Sequence, residues 1–449
     1  MSVTSRRSWI RSLAGGSALL PGVLSEMLAA DRDPMTPKAP HFPPRAKHVI
    51  FLYMSGGVSH VDTFDYKPKL IADDGRQLAE TRFLVKPKWN FRQYGQSGRW
   101  VSELFPHLAE CVDDLCILHS LRNDHTNHYE ATLGVHTGSV TFARPSIGSW
   151  VSYGLGTENR NLPSFVVIAP RMPYAGDQVW SANFLPAAHQ GTRILPGPEP
   201  IPNLRPRASG ELQNLQLGLL DYFNRGHQAR RETDLTLAAR IKSFETAYGM
   251  QREAPEAFDL TRESSATLKL YGLERGSADG FAWQCLIARR LVERGVRFVE
   301  LIDVGSSNNW DAHGDMQTHV PLARNVDRPI AALLKDLKSR GLLDDTLVVW
   351  TSEFGRTPFN SRRDAKGREH HFAAYTSWLA GAGVKPGIVH GQTGEYGIEI
   401  AADQVHVHDF HATILHLMGM DHTRLTYRHA GRDFRLTDVA GNVVRPILS

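Results

Sequence analysis

The stretch Trp310-Asp311-Ala312-His313-Gly314-Asp315 sets a carboxylate and an imidazole two residues apart, with little apolar sequence around them to demand burial. Carboxylate and imidazole together are donors for a divalent cation. The mixture suits zinc or manganese, with calcium third because it prefers an all-oxygen shell. More groups of the same kind lie elsewhere. Glu353 follows the apolar run TLVVWTS, and His370 and His371 in GREHH precede another such run. Asp303 ends VRFVELID, and Asp124, His125, Asn127 and His128 crowd into NDHTNHYEATLG. Each alone is commonplace, because Asp and His in loops are mostly solvated or cap helices. Asp409, ahead of an apolar helical stretch, is expected as such an N-cap, with His411 and His416 packed or at the surface. Several strand ends sharing one edge could instead converge on a cation.

The elements that would position these groups are legible as apolar runs. HVIFLYM (48–54) is β-rich and reads as a strand buried on both faces. It enters the polar, Gly-containing loop SGGVSHVDTFDYKP, with Ser55, Ser59, His60, Asp62 and Asp65. Similar runs recur at 115–121, 164–170, 296–303, 346–355 and 375–383, with helical stretches such as FAWQCLIARRLVERG between them. This alternation predicts an α/β fold, a largely parallel central sheet covered by helices on both faces. In such sheets sites form outside the carboxyl ends of the strands. The segment 205–275 is charged, helix-period and free of strand runs, and reads as a helical insertion packed on the sheet.

Composition narrows the function classes. The 449 residues carry a net charge of +4, too small to imply nucleic acid or anionic lipid as a partner. Three cysteines without zinc-like spacing exclude a disulfide scaffold and a Cys-rich metal site, whereas 21 histidines fit metal or acid–base chemistry. Residues 1–30, with Ser5-Arg6-Arg7, Trp9 and Ile10 before a moderately apolar stretch ending in Ala29-Ala30, resemble a twin-arginine export signal. Its apolar run holds Gly15, Gly16, Pro21 and Gly22 and makes a poor membrane span. A Pro-rich spacer (31–46) leads to one α/β domain at 47–449. The expected location is the periplasm or cell surface.

Several motifs then carry a family resemblance. MSGGVSHVDTFDYKP, NHYEATLGVHTG, WDAHGD, DLKSRGLLDDTLVVWTSEFGRTP, GREHH, LAGAGVKPG and HDFHATILHLMGMDHTRLTYRHAGRDFRLTD occur in order from about 45 to the end. The chain resembles the bacterial exported family catalogued as domain of unknown function 1501. That family is similar to the alkaline-phosphatase and sulfatase superfamily of α/β metal-dependent ester hydrolases. The resemblance implies a ligand pair at Asp311 and His313, a carboxylate at Glu353, with Phe354 where a second ligand would stand, and a late ligand at His370. It also places the superfamily's nucleophile ten residues before Gly138, where this chain has His128 rather than Ser, Thr or Cys. Ser55 and Gly56 stand where the superfamily has an Asp after the first strand, and Asp62 is the nearest substitute.

These readings converge on an exported, metal-dependent hydrolase of sulfate or phosphate esters. Asp311, His313, Glu353 and His370 are the expected ligands, completed by Asp62 or His60. His128 is the expected general acid or phosphohistidine-type nucleophile, and Arg356 the residue that neutralises the anion by bidentate contact. The partner is an anionic ester, a sulfated polysaccharide among the options. Two alternatives stand beside this reading. One is an inactive relative that binds an anionic glycan or a protein. The other is a different hydrolase chemistry on the same scaffold.

Overall fold

The computed structural model describes residues 34–202, 204, 209–231 and 235–449. The signal expected at 1–30 lies outside them. Nine strands form the central sheet. In chain order they are β1 His48–Tyr53, β2 Leu115–Arg122, β3 Phe165–Ile168, β4 Thr192–Ile194, β5 Phe298–Ile302, β6 Thr346–Thr351, β7 Tyr375–Ala380, β8 Ile388–His390 and β9 Val405–His406. Across the sheet they run β8-β2-β7-β6-β1-β5-β3-β4, with β9 also paired to β2. Every pairing is parallel except those of β7, which runs against both β6 and β2.

The apolar runs form strands because both faces of the sheet are covered. Along β1, Ile50 and Leu52 enter one core layer, while Val49, Phe51 and Tyr53 enter the other. Helices α1 His128–Thr137 and α2 Ile147–Leu155 pack on the second layer through residues such as Leu133, Val135 and Trp150. Helices α3 Gly280–Val292 and α4 His319–Ser339 pack on the first through Phe281, Leu286, Ile330 and Leu333. Each fully buried Leu, Ile or Phe stabilises the fold by about 1.5–3 kcal/mol relative to exposure. The last helix, α5 Val407–Leu417, corrects one expectation. Its N-cap is His406, and Asp409 is the third helical residue, closing a capping box on the His406 N–H. Within 205–275 the described residues include helices Gly210–Gln228 and Leu235–Phe258 and no strand. Among the described residues no helix is long and apolar enough to cross a membrane.

The reversed strand matters for the site. The carboxyl ends of β1, β2, β5 and β6 lie at one edge, and the loop entering β7 arrives at that same edge from the other direction. His370 therefore joins the groups following the parallel strands although it precedes its own strand.

Candidate metal centre

Five segments meet at this edge. Gly56 follows β1, His128 opens α1 after β2, Asp311 lies in the loop after β5, Glu353 follows β6, and His370 precedes β7. Local chemistry places each of them. Asn127 caps α1 by accepting the Tyr129 N–H at 2.9 Å, which sets His128 as the first helical residue. A two-residue ladder pairs Arg356 with His370 and Gly355 with His371. Gly56 lets the β1 loop pass against the Asp311 loop. Its φ is +114°, and a Cβ there would lie 2.6 Å from the Trp310 nitrogen and 2.7 Å from that of Asp311. Beneath the two loops, Asp303 accepts from Ser55 N (3.2 Å), Val304 N (2.6 Å) and Trp310 Nε1 (2.6 Å). Burial still pushes its carboxyl up to about 7.

His128, Asp311 and His370 each direct a donor atom into a common space, all within 4.8 Å of one another. His128 Nε2 lies 3.2 Å from Asp311 Oδ2, and His370 Nε2 lies 3.3 Å from Asp311 Oδ1. His313 closes the outer side, with Nε2 2.9 Å from Asp311 Oδ1 and 2.9 Å from His370 Nε2.

The opposite ring nitrogens explain this arrangement. His128 Nδ1 faces Glu353 Oε1 at 2.6 Å, His370 Nδ1 faces the Thr126 carbonyl at 2.6 Å, and His313 Nδ1 faces Glu369 Oε2 at 2.7 Å. All three partners accept a hydrogen bond from Nδ1, which leaves each Nε2 directed at Asp311, where a proton or a cation can bridge ring and carboxylate. The Nε2 atoms of His313 and His370, 2.9 Å apart, repel unless a proton or a cation lies between them. His128 Nε2 is buried and, though near Asp311, has no aligned hydrogen-bond partner. His128, Asp311 and His370, with both rings held from behind by acceptors, form an N₂O donor set of the kind zinc or manganese takes, with His313 beside it. The residues present fit a divalent cation.

Electrostatics point the same way. Burial raises the Asp311 carboxyl, but its contacts with His128 and His370 and the Arg356 charge outweigh that. They hold it far below the usual carboxylate range. Burial lowers the His128 imidazole, yet Asp311 and Glu353 outweigh it and raise it above its ordinary value. The site therefore favours positive charge at His128 Nε2, as a proton or as a metal ion.

Two expected roles change. Glu353 is buried, and its oxygens accept from Tyr53 Oη (2.8 Å), Gly56 N (2.9 Å) and Ser352 Oγ (3.1 Å) as well as from His128. With its lone pairs taken, it orients His128 instead of ligating. Arg356 is fully buried and is not presented to an incoming anion. Its guanidinium bonds the Gly57 carbonyl at 2.9 Å, the Gly56 carbonyl, and Asp311 Oδ1 at 2.6 Å. It fixes the β1 loop against Asp311.

Asp62 and His60, expected to complete the shell, are not brought to the cluster. Asp62 forms a buried ion pair with Arg368 at 2.6 Å, and His60 Nε2 bonds the Gly397 carbonyl at 2.8 Å. Three contributors were not visible as site residues in the sequence. Tyr53 reads as one more apolar strand position, Thr126 acts through its backbone, and Tyr174 sits in a loop without a pattern. Tyr174 stacks on His128, with ring centres 4.2 Å apart and planes 5° from parallel.

The family model described as "Protein of unknown function (DUF1501)" matches residues 46–448. No curated protein matches the chain. Solved structures that match include the lipoteichoic acid synthase LtaP from Listeria monocytogenes, with 9% identity, 90% of this chain and 78% of that one covered, and a TM-score of 0.39. The phosphonate monoester hydrolase SpPMH from Silicibacter pomeroyi matches at 12% identity over 89% and 76% of the two chains, with a TM-score of 0.37. Alkaline phosphatase from the Antarctic bacterium TAB5, in a variant with Mg bound in its M3 site, matches at 12% identity over 84% and 99%, with a TM-score of 0.34.

Proposed function

We propose that this chain, which belongs to the family of proteins of unknown function DUF1501, is an exported, metal-dependent hydrolase of sulfate or phosphate esters. His128, Asp311, His370 and His313 hold one divalent cation in this reading. The observation that carries it is the set of three Nδ1-anchored imidazoles turned onto a single carboxylate. When bound, the cation supplies Lewis acidity toward an ester oxygen.

The chain's own residues do the rest. Glu353 holds the proton at His128 Nδ1, so the lone pair of Nε2 stays available. Arg356 keeps Asp311 ionised and in place. Tyr174 covers one face of the His128 ring and Phe354 packs against another side, excluding water from behind the cluster. The first position of α1 is His128, which has no hydroxyl or thiol, so the attacking group in this reading is water and not a side chain.

A second reading is favoured by two observations. His128 stands where the alkaline-phosphatase and sulfatase superfamily that this family resembles has its nucleophile, and Arg356 is committed to internal carbonyls, as in a relative that binds an anionic glycan or protein without turnover. The test is the metal content of wild type and Asp311→Ala by mass spectrometry, with turnover of nitrophenyl sulfate and nitrophenyl phosphate. Bound zinc or manganese, lost in the variant, with metal-dependent turnover supports the hydrolase. Bound metal with no turnover across an ester panel supports the binder. A metal-free wild type after metal-replete purification removes the hydrolase reading and leaves the binder as the working model.

A further inference from the structure

A second concave feature shares no residue with the histidine cluster. It is a cleft of about 360 Å³ beside the hairpin formed by strands Phe91–Tyr94 and Arg99–Ser102, bounded on its inner side by β2. This size falls within the roughly 300–1,000 Å³ of small-molecule sites. One wall is aromatic: Tyr66 and Trp100 stack with centroids 4.2 Å apart, and Trp100 remains 37% exposed. A tryptophan kept at a cleft mouth with much of its ring in water has a face to offer a ligand.

The charges of the cleft do not cancel. Lys67 Nζ lies 2.9 Å from Asp65 Oδ1, and Thr393 Oγ1 donates to Asp65 Oδ2 at 2.5 Å, so this carboxylate and this ammonium neutralise each other. Arg99 donates Nε to the Gly387 carbonyl at 2.9 Å and has no carboxylate partner among the described residues. One guanidinium charge is left over beside the aromatic wall. His119 lines the same space, with Nδ1 3.4 Å from Asp65 Oδ1 and a buried Nε2 that has no hydrogen-bond partner.

An aromatic face, one unpaired guanidinium and an imidazole nitrogen together match a ligand with an apolar ring face, one anionic substituent and hydroxyl groups. We propose that this cleft binds an anionic saccharide, its ring face on Trp100 and its sulfate or carboxylate at Arg99. A nucleotide would also stack, but it brings several phosphate charges to a single unpaired cation. The proposal stands on this cleft alone and does not require the histidine cluster to turn over an ester.

The experiment is calorimetric titration of the full chain with the singly sulfated sugar glucose 6-sulfate, unsulfated glucose, and inorganic sulfate. Wild type is compared with Trp100→Ala, Trp100→Phe and Arg99→Gln, each checked for an unchanged melting profile and metal content. The expected result is saturable binding of the sulfated sugar, weakened about tenfold or more in Trp100→Ala and in Arg99→Gln and largely restored in Trp100→Phe. Absence of saturable binding overturns the proposal. So does equal affinity for the unsulfated sugar, inorganic sulfate binding as tightly as the sugar, or unchanged binding in the Trp100→Ala and Arg99→Gln variants.

Discussion

Two polar clusters in this molecule are built from the same residue types and wired in opposite ways. Around Asp311, three imidazoles are held from behind at Nδ1 and turn Nε2 toward one carboxylate. Around Asp62, the polar atoms turn toward one another. Asp62 Oδ2 accepts from Arg368 and Ser59, and Oδ1 accepts the Lys88 N–H. The other Arg368 nitrogens go to the carbonyls of Val85, Thr357 and Lys86. His60 stacks on His371, and each bonds a backbone carbonyl through Nε2. His60 Nδ1 lacks a partner, but it is pressed against Gly355, where a Cβ would lie 2.7 Å away. What separates a candidate binding site from a brace is therefore not the presence of Asp and His. It is whether donors and acceptors are exhausted inside the protein.

The largest expected effect tests this division directly. Asp62→Ala leaves the Arg368 guanidinium buried without its carboxylate, and removing one partner of such a pair costs about 3–5 kcal/mol. The variant should melt far below wild type, while its folded fraction keeps the wild-type metal stoichiometry. Asp311→Ala should lose metal as well as stability, because it leaves the fully buried Arg356 guanidinium without its carboxylate. If Asp62→Ala keeps its melting temperature and loses metal, the two clusters have been assigned the wrong way round.

Titration should separate the same regions by the sign of a slope. Burial lowers His60 to about 4, and His319 and His371 to about 3, from an ordinary 6.5. The folded chain then binds fewer protons than the unfolded chain between those values. The stability these groups contribute is full above about pH 6.5 and is lost as pH falls toward 4 and below. His128 is raised, so its contribution in chelated protein is present below about pH 6.5 and lost as pH rises through its folded value. Urea midpoints of the chelated protein should fall with acid below pH 6.5, less steeply in His371→Gln. Above pH 6.5 they should fall with base, less steeply in His128→Gln. Identical profiles in the two variants would erase the distinction.

How far this was legible follows from what each residue does. The strands were readable because long apolar runs buried on both faces have few other fates. The reversal of β7 was not, because a run such as YTSWLA carries the same pattern in either direction. Asp311, His313 and His370 stood out as polar groups at strand ends. Asp62 and His60 stood out equally and for the same reason, since Arg368, which neutralises Asp62, lies 306 residues away in sequence and the Gly397 carbonyl that holds His60 lies 337 away. Glu353 was legible as a site carboxylate but not as an orienting one. That role depends on Tyr53 Oη and Gly56 N arriving from another strand to occupy its lone pairs.

Glu353→Gln refines that last point. Replacing one carboxylate oxygen by an amide keeps the volume and disturbs the acceptor that fixes the His128 tautomer. Loss of such a supporting carboxylate weakens metal affinity by roughly 10–100-fold. Competition with a chromogenic chelator should show a drop of this size, smaller than in Asp311→Ala. A loss as complete as in Asp311→Ala would make Glu353 a ligand after all.

The smallest effect concerns how α1 delivers His128. Asn127 accepts the Tyr129 N–H at 2.9 Å and is the N-cap of the helix that begins at His128. Asn127→Ala removes that acceptor and should cost about 1 kcal/mol of stability. The ring of His128 is held independently of the cap, by Glu353 at Nδ1, by Tyr174 on its face and by Phe354 against it. Metal affinity should therefore change much less than in Glu353→Gln, although Asn127 adjoins the proposed ligand in sequence and Glu353 is 225 residues away. A small fall in the urea midpoint with near-wild-type chelator competition would show that His128 is positioned by its ring contacts. A large loss of metal in Asn127→Ala would instead assign that positioning to the helix start.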